Sequence, residues 1–157
     1  MTCLNINSRQ SLELCSKYLI NLCNINIRIH GKENLHKGKK VFITGHTGFK
    51  GSWLTTWLNL MGANVIGVSL NPPSQPSHFE VAELAKSIED NRLDIRDGDE
   101  LKLLVSGTQP DFVFHLAAQP LVLQSYLDPV ETYQTNVLGT LNLLEGLRFL
   151  EKPCTAV

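Results

Sequence analysis

Val41-Phe42-Ile43-Thr44-Gly45-His46-Thr47-Gly48-Phe49-Lys50-Gly51-Ser52-Trp53-Leu54 is the stretch that decides the fold. Its first four residues are β-branched or aromatic and read as a buried strand. Three glycines at three-residue spacing follow, and then an apolar stripe at three- and four-residue spacing: Trp53, Leu54, Trp57, Leu58 and Met61. That order is strand, glycine loop, helix. Gly62 suits the left-handed position that ends a helix, and Ala63–Ser69 reads as a second strand. Together these residues make one βαβ unit, the building block of parallel sheets.

Working outward, Pro72, Pro73 and Pro76 forbid helix and strand and predict an extended loop. Ser77 with Glu80 is a capping-box signature for a short helix through about Lys86. A third strand is expected to end at Arg92–Ile95, its start obscured by Glu89-Asp90-Asn91. Asp97 with Glu100 opens a further helix, striped by Leu101, Leu104 and Val105 and ending at Gly107. Phe112–Ala118 is the clearest strand. Asp128-Pro129-Val130-Glu131 joins an N-cap, a first-turn proline and an acid, and predicts a helix to roughly Leu150. Four strands alternating with four helices predict an α/β, Rossmann-type doubly wound parallel sheet, truncated after about four strands.

Composition sets the bounds. Of 157 residues 43% are hydrophobic and 18% charged, and no apolar run reaches the roughly 20 residues that a membrane-spanning helix needs. A net charge of −1 gives no electrostatic reason to expect nucleic acid or an anionic membrane as partner. The charge is unevenly spread. Residues 1–40 hold seven Lys/Arg against two acids, whereas the rest hold seven against thirteen. The division read from this is a leader of no assigned function at 1–38 and a domain from 39 to 157. Cys3, Cys15 and Cys23 of the leader and Cys154 have no metal or redox spacing, so free thiols in a reducing cytoplasm are expected.

The glycine loop carries the chemistry. Backbone N–H groups at a helix N-terminus attract a pyrophosphate, and glycine permits its close approach. A tight turn without ligand is the plainer alternative. No Gly-Lys-Ser/Thr closes the loop, which excludes a P-loop. The acid that usually follows about 20 residues on is missing from Ser69-Leu70-Asn71, and no arginine replaces it, so the residues leave NAD and NADP both open. Asp94 is placed to meet an adenine amino group with Ile95 against the ring face, a solvated loop aspartate being the alternative. Asn136 is either an inward polar residue in need of partners or an exposed helix position. His115 reads as a satisfied core histidine and His46 as a shaper of the glycine turn. No cluster has metal-ligand spacing, so no metal is expected.

Thr44–Leu54, Asp94-Ile95-Arg96-Asp97, His115–Val122 and Thr135-Asn136-Val137-Leu138-Gly139-Thr140 together resemble the extended short-chain dehydrogenase/reductase family of NAD-dependent epimerases and dehydratases. Within it, His46–Trp53, Ala118-Gln119-Pro120 and Pro72-Pro73 are most similar to the 4,6-dehydratases acting on CDP-glucose. The resemblance covers about residues 38–157. It implies NAD as cofactor, with Gly45, Thr47, Gly48, Phe49, Lys50 and Gly51 around the pyrophosphate and Asp94 and Ile95 at the adenine. Leu116, Ala117, Ala118 and Gln119 would flank the nicotinamide ribose, and Asn136 would support an active-site lysine. A nucleotide-sugar substrate and a homodimer, built partly on residues 129–150, are further implications; another epimerase or dehydratase, or a non-catalytic dinucleotide-binding piece, are alternative readings. The family's Tyr-x-x-x-Lys pair is not found at Tyr18, Tyr126 or Tyr133, so this chain alone is expected to be inactive. Leu123-Gln124 stands where the family tends to have an arginine.

Overall fold

A computed structural model describes residues 35–157. The expectations for the leader fall almost wholly outside these residues. Five parallel strands form one sheet: β1 Lys40–Thr44, β2 Asn64–Ser69, β3 Glu89–Arg92, β4 Phe112–His115 and β5 Thr155–Ala156, in the spatial order β3-β2-β1-β4-β5. Phe42 stands opposite Ile66 on one side and Val113 on the other. The strand order reverses between β1 and β4, so the crevice at their C-terminal ends is the topological switch point where ligands of such sheets bind.

Alternation along β1 assigns its residues to two layers. Val41 and Ile43 pack with Val65 and with Leu58 of α1, Phe49–Leu60. Phe42 and Val113 face the other way, onto Leu101 and Val105 of α3, Gly98–Thr108, and Leu143 of α6, Gly139–Leu147. Covering both faces is what a parallel sheet requires.

The structure adds to the expected elements and corrects some of their limits. β5 is a fifth strand. β3 ends at Arg92, three residues before Ile95, because it is an edge strand of polar residues, and Leu93–Ile95 have already left the sheet. β4 stops at His115, where the N–H groups of Leu116 and Ala117 turn to the hydroxyl of Thr44 at 3.1 and 3.2 Å. The helix expected from Ser77 to Lys86 breaks at Glu83, whose φ of 50° separates α2, His78–Val81, from a 3₁₀ turn at Leu84–Lys86. α3 runs past Gly107 to Thr108 and closes with Gln109 in the left-handed region.

A helix that the sequence did not announce, α4, Val122–Leu127, precedes α5, Pro129–Tyr133. α5 leads without a break through a π-helical turn, Gln134–Leu138, into α6, which ends three residues short of Leu150. Among the described residues no helix is long and apolar enough to cross a membrane.

Candidate functional site

Glycine geometry builds the loop after β1. Gly45 has φ +76°, and a Cβ there would lie 2.7 Å from the amide nitrogen of Ala117, so this loop and the segment after β4 touch backbone to backbone. At Gly51 a Cβ would overlap the carbonyl oxygen of Gly45 and lie 2.7 Å from its carbon. Gly45 N–H donates to Val68 O at 2.8 Å and Gly48 N–H to Gly45 O at 3.1 Å.

The first intrahelical bond of α1 runs from Ser52 N–H to Gly48 O, and α1 has neither a side-chain cap nor an acid in its first turn. The N–H groups of Phe49, Lys50 and Gly51 therefore have no intrahelical acceptor. The partial positive charge of the helix end adds to them, and Lys50 is exposed beside them. This arrangement fits a pyrophosphate.

Two residues between the glycines anchor the loop. Thr47 Oγ1 donates to Leu70 O at 3.0 Å and accepts from the Ser69 hydroxyl at 2.7 Å, which ties the loop to the end of β2. His46 is 0% exposed, and its Nε2 bonds Oδ1 of Asp90 on β3 at 2.7 Å. The ring lies against Gly67, where a Cβ would come within 2.5 Å of it, and meets the edge of Phe79. Burial lowers the His46 pKa more strongly than the hydrogen bond and charge of Asp90 raise it. The ring is thus neutral at neutral pH, with Nε2–H donating to the carboxylate. Asp90 in turn accepts from Arg92 at 2.9 Å, and Arg92 also donates to Leu70 O at 2.9 Å.

Asp94 is the second cluster. Arg96 wraps it: Arg96 N–H donates to Oδ1 at 2.9 Å, and Nε and Nη2 donate to Oδ2 at 2.9 and 2.6 Å. The guanidinium holds the Asp94 pKa below the ordinary carboxylate value. Ile95 corrects the expectation for its side chain. It is 4% exposed and packs into the core against Gly139, so its side chain offers no face to a ring.

The third cluster follows β4. Asn136 sits in the π-helical turn and is turned inward: its Oδ1 accepts from Gln119 N–H at 2.8 Å and its Nδ2 donates to Gln119 O at 3.1 Å. π-helical turns often occur at functional sites. The Gln119 side chain is itself engaged, donating to Thr132 Oγ1 at 2.9 Å and accepting from Leu121 N–H at 2.6 Å.

Hydroxyl geometry settles the tautomer of His115. Thr140 Oγ1 donates to Asn136 O at 2.7 Å, so it accepts from His115 Nε2–H at 2.9 Å. Nδ1 then accepts the Thr44 hydroxyl at 2.7 Å. Burial keeps this ring neutral. His115 is a satisfied internal residue that connects β1, β4 and α6.

Asn136→Ala removes both bonds to Gln119 and leaves two part-buried backbone groups unpaired, at a cost of about 2 kcal/mol. The expected melting temperature falls by about 8 °C in a thermal unfolding scan, and a fall under 2 °C contradicts the role given to the side chain.

The glycine loop and Leu116–Gln119 are thus in contact, and Asp94–Ile95 stands beyond β2 at the same C-terminal end of the sheet. Asp90, Arg96, Thr44 and Thr140 were not singled out from sequence. Only Arg96, in Asp94-x-Arg96, had a local signal. Tyr126 and Tyr133 lie exposed, with Val130 and Val137 four positions on. Among the described residues no group of three or more His, Cys, Asp or Glu is placed to hold a metal.

The family model described as GDP-mannose 4,6 dehydratase matches residues 42–156. CDP-glucose 4,6-dehydratase of Salmonella typhimurium is 52% identical over 116 residues, covering 74% of this chain and 32% of that protein. A GDP-mannose 4,6-dehydratase of Sordaria araneosa is 41% identical over 112 residues, covering 71% and 20%. Among solved structures, an epimerase of Methanothermobacter thermautotrophicus superposes with a TM-score of 0.63 at 33% identity, covering 75% of this chain and 34% of that one. UDP-glucose 4-epimerase of Thermus thermophilus, solved in complex with NAD, gives 0.58 at 32% identity, covering 69% and 33%. The chain spans about a third or less of the length of these relatives.

Proposed function

The chain belongs to the GDP-mannose 4,6-dehydratase family of nucleotide-sugar dehydratases and epimerases, and from that premise we propose that residues 39–157 are the NAD-binding part of a CDP-glucose 4,6-dehydratase. The observation that carries the coenzyme reading is the uncapped N-terminus of α1, entered through a loop too tight for any side chain at Gly51. The 52% identity to the Salmonella enzyme is what favours CDP-glucose over other sugar nucleotides.

In this reading Gly45, Thr47, Gly48, Phe49, Lys50 and Gly51 hold the pyrophosphate, through backbone N–H groups and the Lys50 charge. Asp94 accepts from the adenine amino group, beside the backbone of Ile95. Leu116, Ala117, Ala118 and Gln119 flank the nicotinamide ribose, fixed in place by Asn136 and Thr44. When bound, NAD supplies the hydride acceptor and donor for the transient oxidation at C4 by which CDP-glucose becomes CDP-4-keto-6-deoxyglucose and water. These residues orient the coenzyme and exclude water from its binding edge; no Tyr-x-x-x-Lys pair occurs among the 157 residues to move the sugar's protons. The apolar outer face of Val130, Tyr133, Val137, Leu141 and Leu144 belongs to the same reading as the surface for a second copy.

Titration calorimetry of the 157-residue chain with NAD tests the proposal. Saturable one-to-one binding is expected. At a hundredfold excess over Kd it stabilises the fold by about 2.7 kcal/mol, or about 10 °C in melting temperature. The same preparation, given NAD and CDP-glucose, is expected to form no 4-keto product. Absence of heat and of thermal shift at millimolar NAD overturns the coenzyme reading; turnover overturns the inactivity.

A further inference from the structure

Asn142 of α6 lies outside every motif considered so far, yet its side chain is spent on the loop that follows β3. Its Nδ2 donates to two backbone carbonyls at once, Ile95 O at 3.0 Å and Arg96 O at 3.1 Å. Two glycines bring helix and loop together at this point. A Cβ on Gly98 would lie 2.9 Å from Asn142 Oδ1, and one on Gly139 would lie 2.5 Å from Ile95 Cδ1. Arg96, whose backbone Asn142 holds, is also the residue that clamps the Asp94 carboxylate, and its Nη1 stands 3.9 Å from Glu131 of α5. Among the described residues Asp94 Oδ1 accepts one bond, from Arg96 N–H, which leaves a lone pair for a ligand donor.

We propose that Asn142 is a positioning residue for purine selection: by fixing the carbonyls of Ile95 and Arg96 it aims the Asp94 carboxylate at the exocyclic amino group of the adenine. The proposal rests on the coenzyme reading above and goes beyond it, since it assigns the discrimination between purines to a residue that touches no ligand. An amino group donates to the carboxylate, whereas a carbonyl at the same ring position presents its lone pairs to the negative charge. Discrimination of this kind needs the acceptor held in place.

The probe is nicotinamide hypoxanthine dinucleotide, which carries that carbonyl, compared with NAD by calorimetry on the 157-residue chain. The parent is expected to prefer NAD by about tenfold or more. In Asn142→Ala the preference is expected to shrink to about twofold, chiefly through weaker NAD binding. Gly98→Ala is the second variant: the added methyl displaces the Asn142 amide without removing it, and alanine suits the first turn of α3. It decides the matter should Asn142→Ala not fold.

A purely structural role lowers stability, and affinity for both dinucleotides alike, with the ratio unchanged; that result overturns the proposal. A parent that binds both dinucleotides equally overturns it as well and leaves the coenzyme reading standing. A parent that binds neither brings down the coenzyme reading and the proposal together.

Discussion

Gly51→Ala is expected to lower the melting temperature of the chain by about 12 °C and to abolish NAD binding. The methyl group would overlap the carbonyl oxygen of Gly45 and lie 2.9 Å from the Cα of His46, so every atom in its way is backbone. None of them is free to yield. Gly45 is held by its N–H bond to Val68 and by contact with the Ala117 backbone, and His46 by Asp90. Overpacking where no side chain can swing away costs about 3 kcal/mol, and for an ordered body of this size each kcal/mol is about 4 °C. Relief requires the loop to move off α1, which separates Gly45–Gly48 from the N–H groups of Phe49, Lys50 and Gly51 and so takes apart the proposed pyrophosphate site. Differential scanning calorimetry with and without NAD checks both effects. Gly107, where an added Cβ meets nothing within 4 Å, is the control: Gly107→Ala is expected to keep the parent's melting temperature and binding. A Gly51→Ala protein that melts and binds like the parent contradicts the packing described for the loop.

Acid is expected to unfold the chain well above the pH at which carboxylates protonate. Burial lowers the pKa of three histidines: His46, sealed between Gly67 and Phe79; His78, stacked on Trp53 with both ring nitrogens unpaired among the described residues; and His115, between Thr44 and Thr140. In the unfolded chain each takes a proton near pH 6.5. Between that pH and the lower folded values the unfolded state binds more protons, so stability is complete above about pH 6.5 and declines as the pH falls. The decline approaches about 1.4 kcal/mol per pH unit for each group, about 4 kcal/mol for the three. Asp94 and Asp111, whose pKa values are depressed, add stability that is complete above the ordinary carboxylate range and is lost only as the pH falls below it. A melting temperature that is flat from pH 7.5 to 5.5 contradicts this account. Because His46 belongs to the glycine loop, the same acid step is expected to release that loop from β3.

The parts legible in the sequence are those whose physics is local. Three glycines between a β-branched run and a periodic helix state their own requirement, and Gly45 and Gly51 answer it with backbone contacts that a side chain would prevent. β1 and β2 are buried on both faces, β4 is partly so, and all three read as apolar runs, which is why their existence and type were plain. β3 is an edge strand with one neighbour, so Glu89-Asp90-Asn91-Arg92 carries no apolar alternation and its limits were displaced. α4 buries no residue, and without a buried face it has no period to detect. β5 is too short to show a pattern.

At the site, the limit was distance along the chain. His46 finds Asp90 44 residues away, Asn136 finds Gln119 17 away, and Asn142 finds Ile95 47 away. No spacing rule reaches those pairs. Ile95 marks the converse case, where a residue chosen for its neighbourhood has its side chain in the core.

The central claim is that three separate segments form one dinucleotide site at the C-terminal ends of β1 and β4. Hydrogen–deuterium exchange of the chain with and without saturating NAD tests it most directly. The account predicts new protection in Gly45–Gly51, at Asp94–Ile95 and in Leu116–Gln119, with the outer face of α5 and the π-helical turn unchanged. Protection confined to that outer face, or none in the glycine loop, would contradict it.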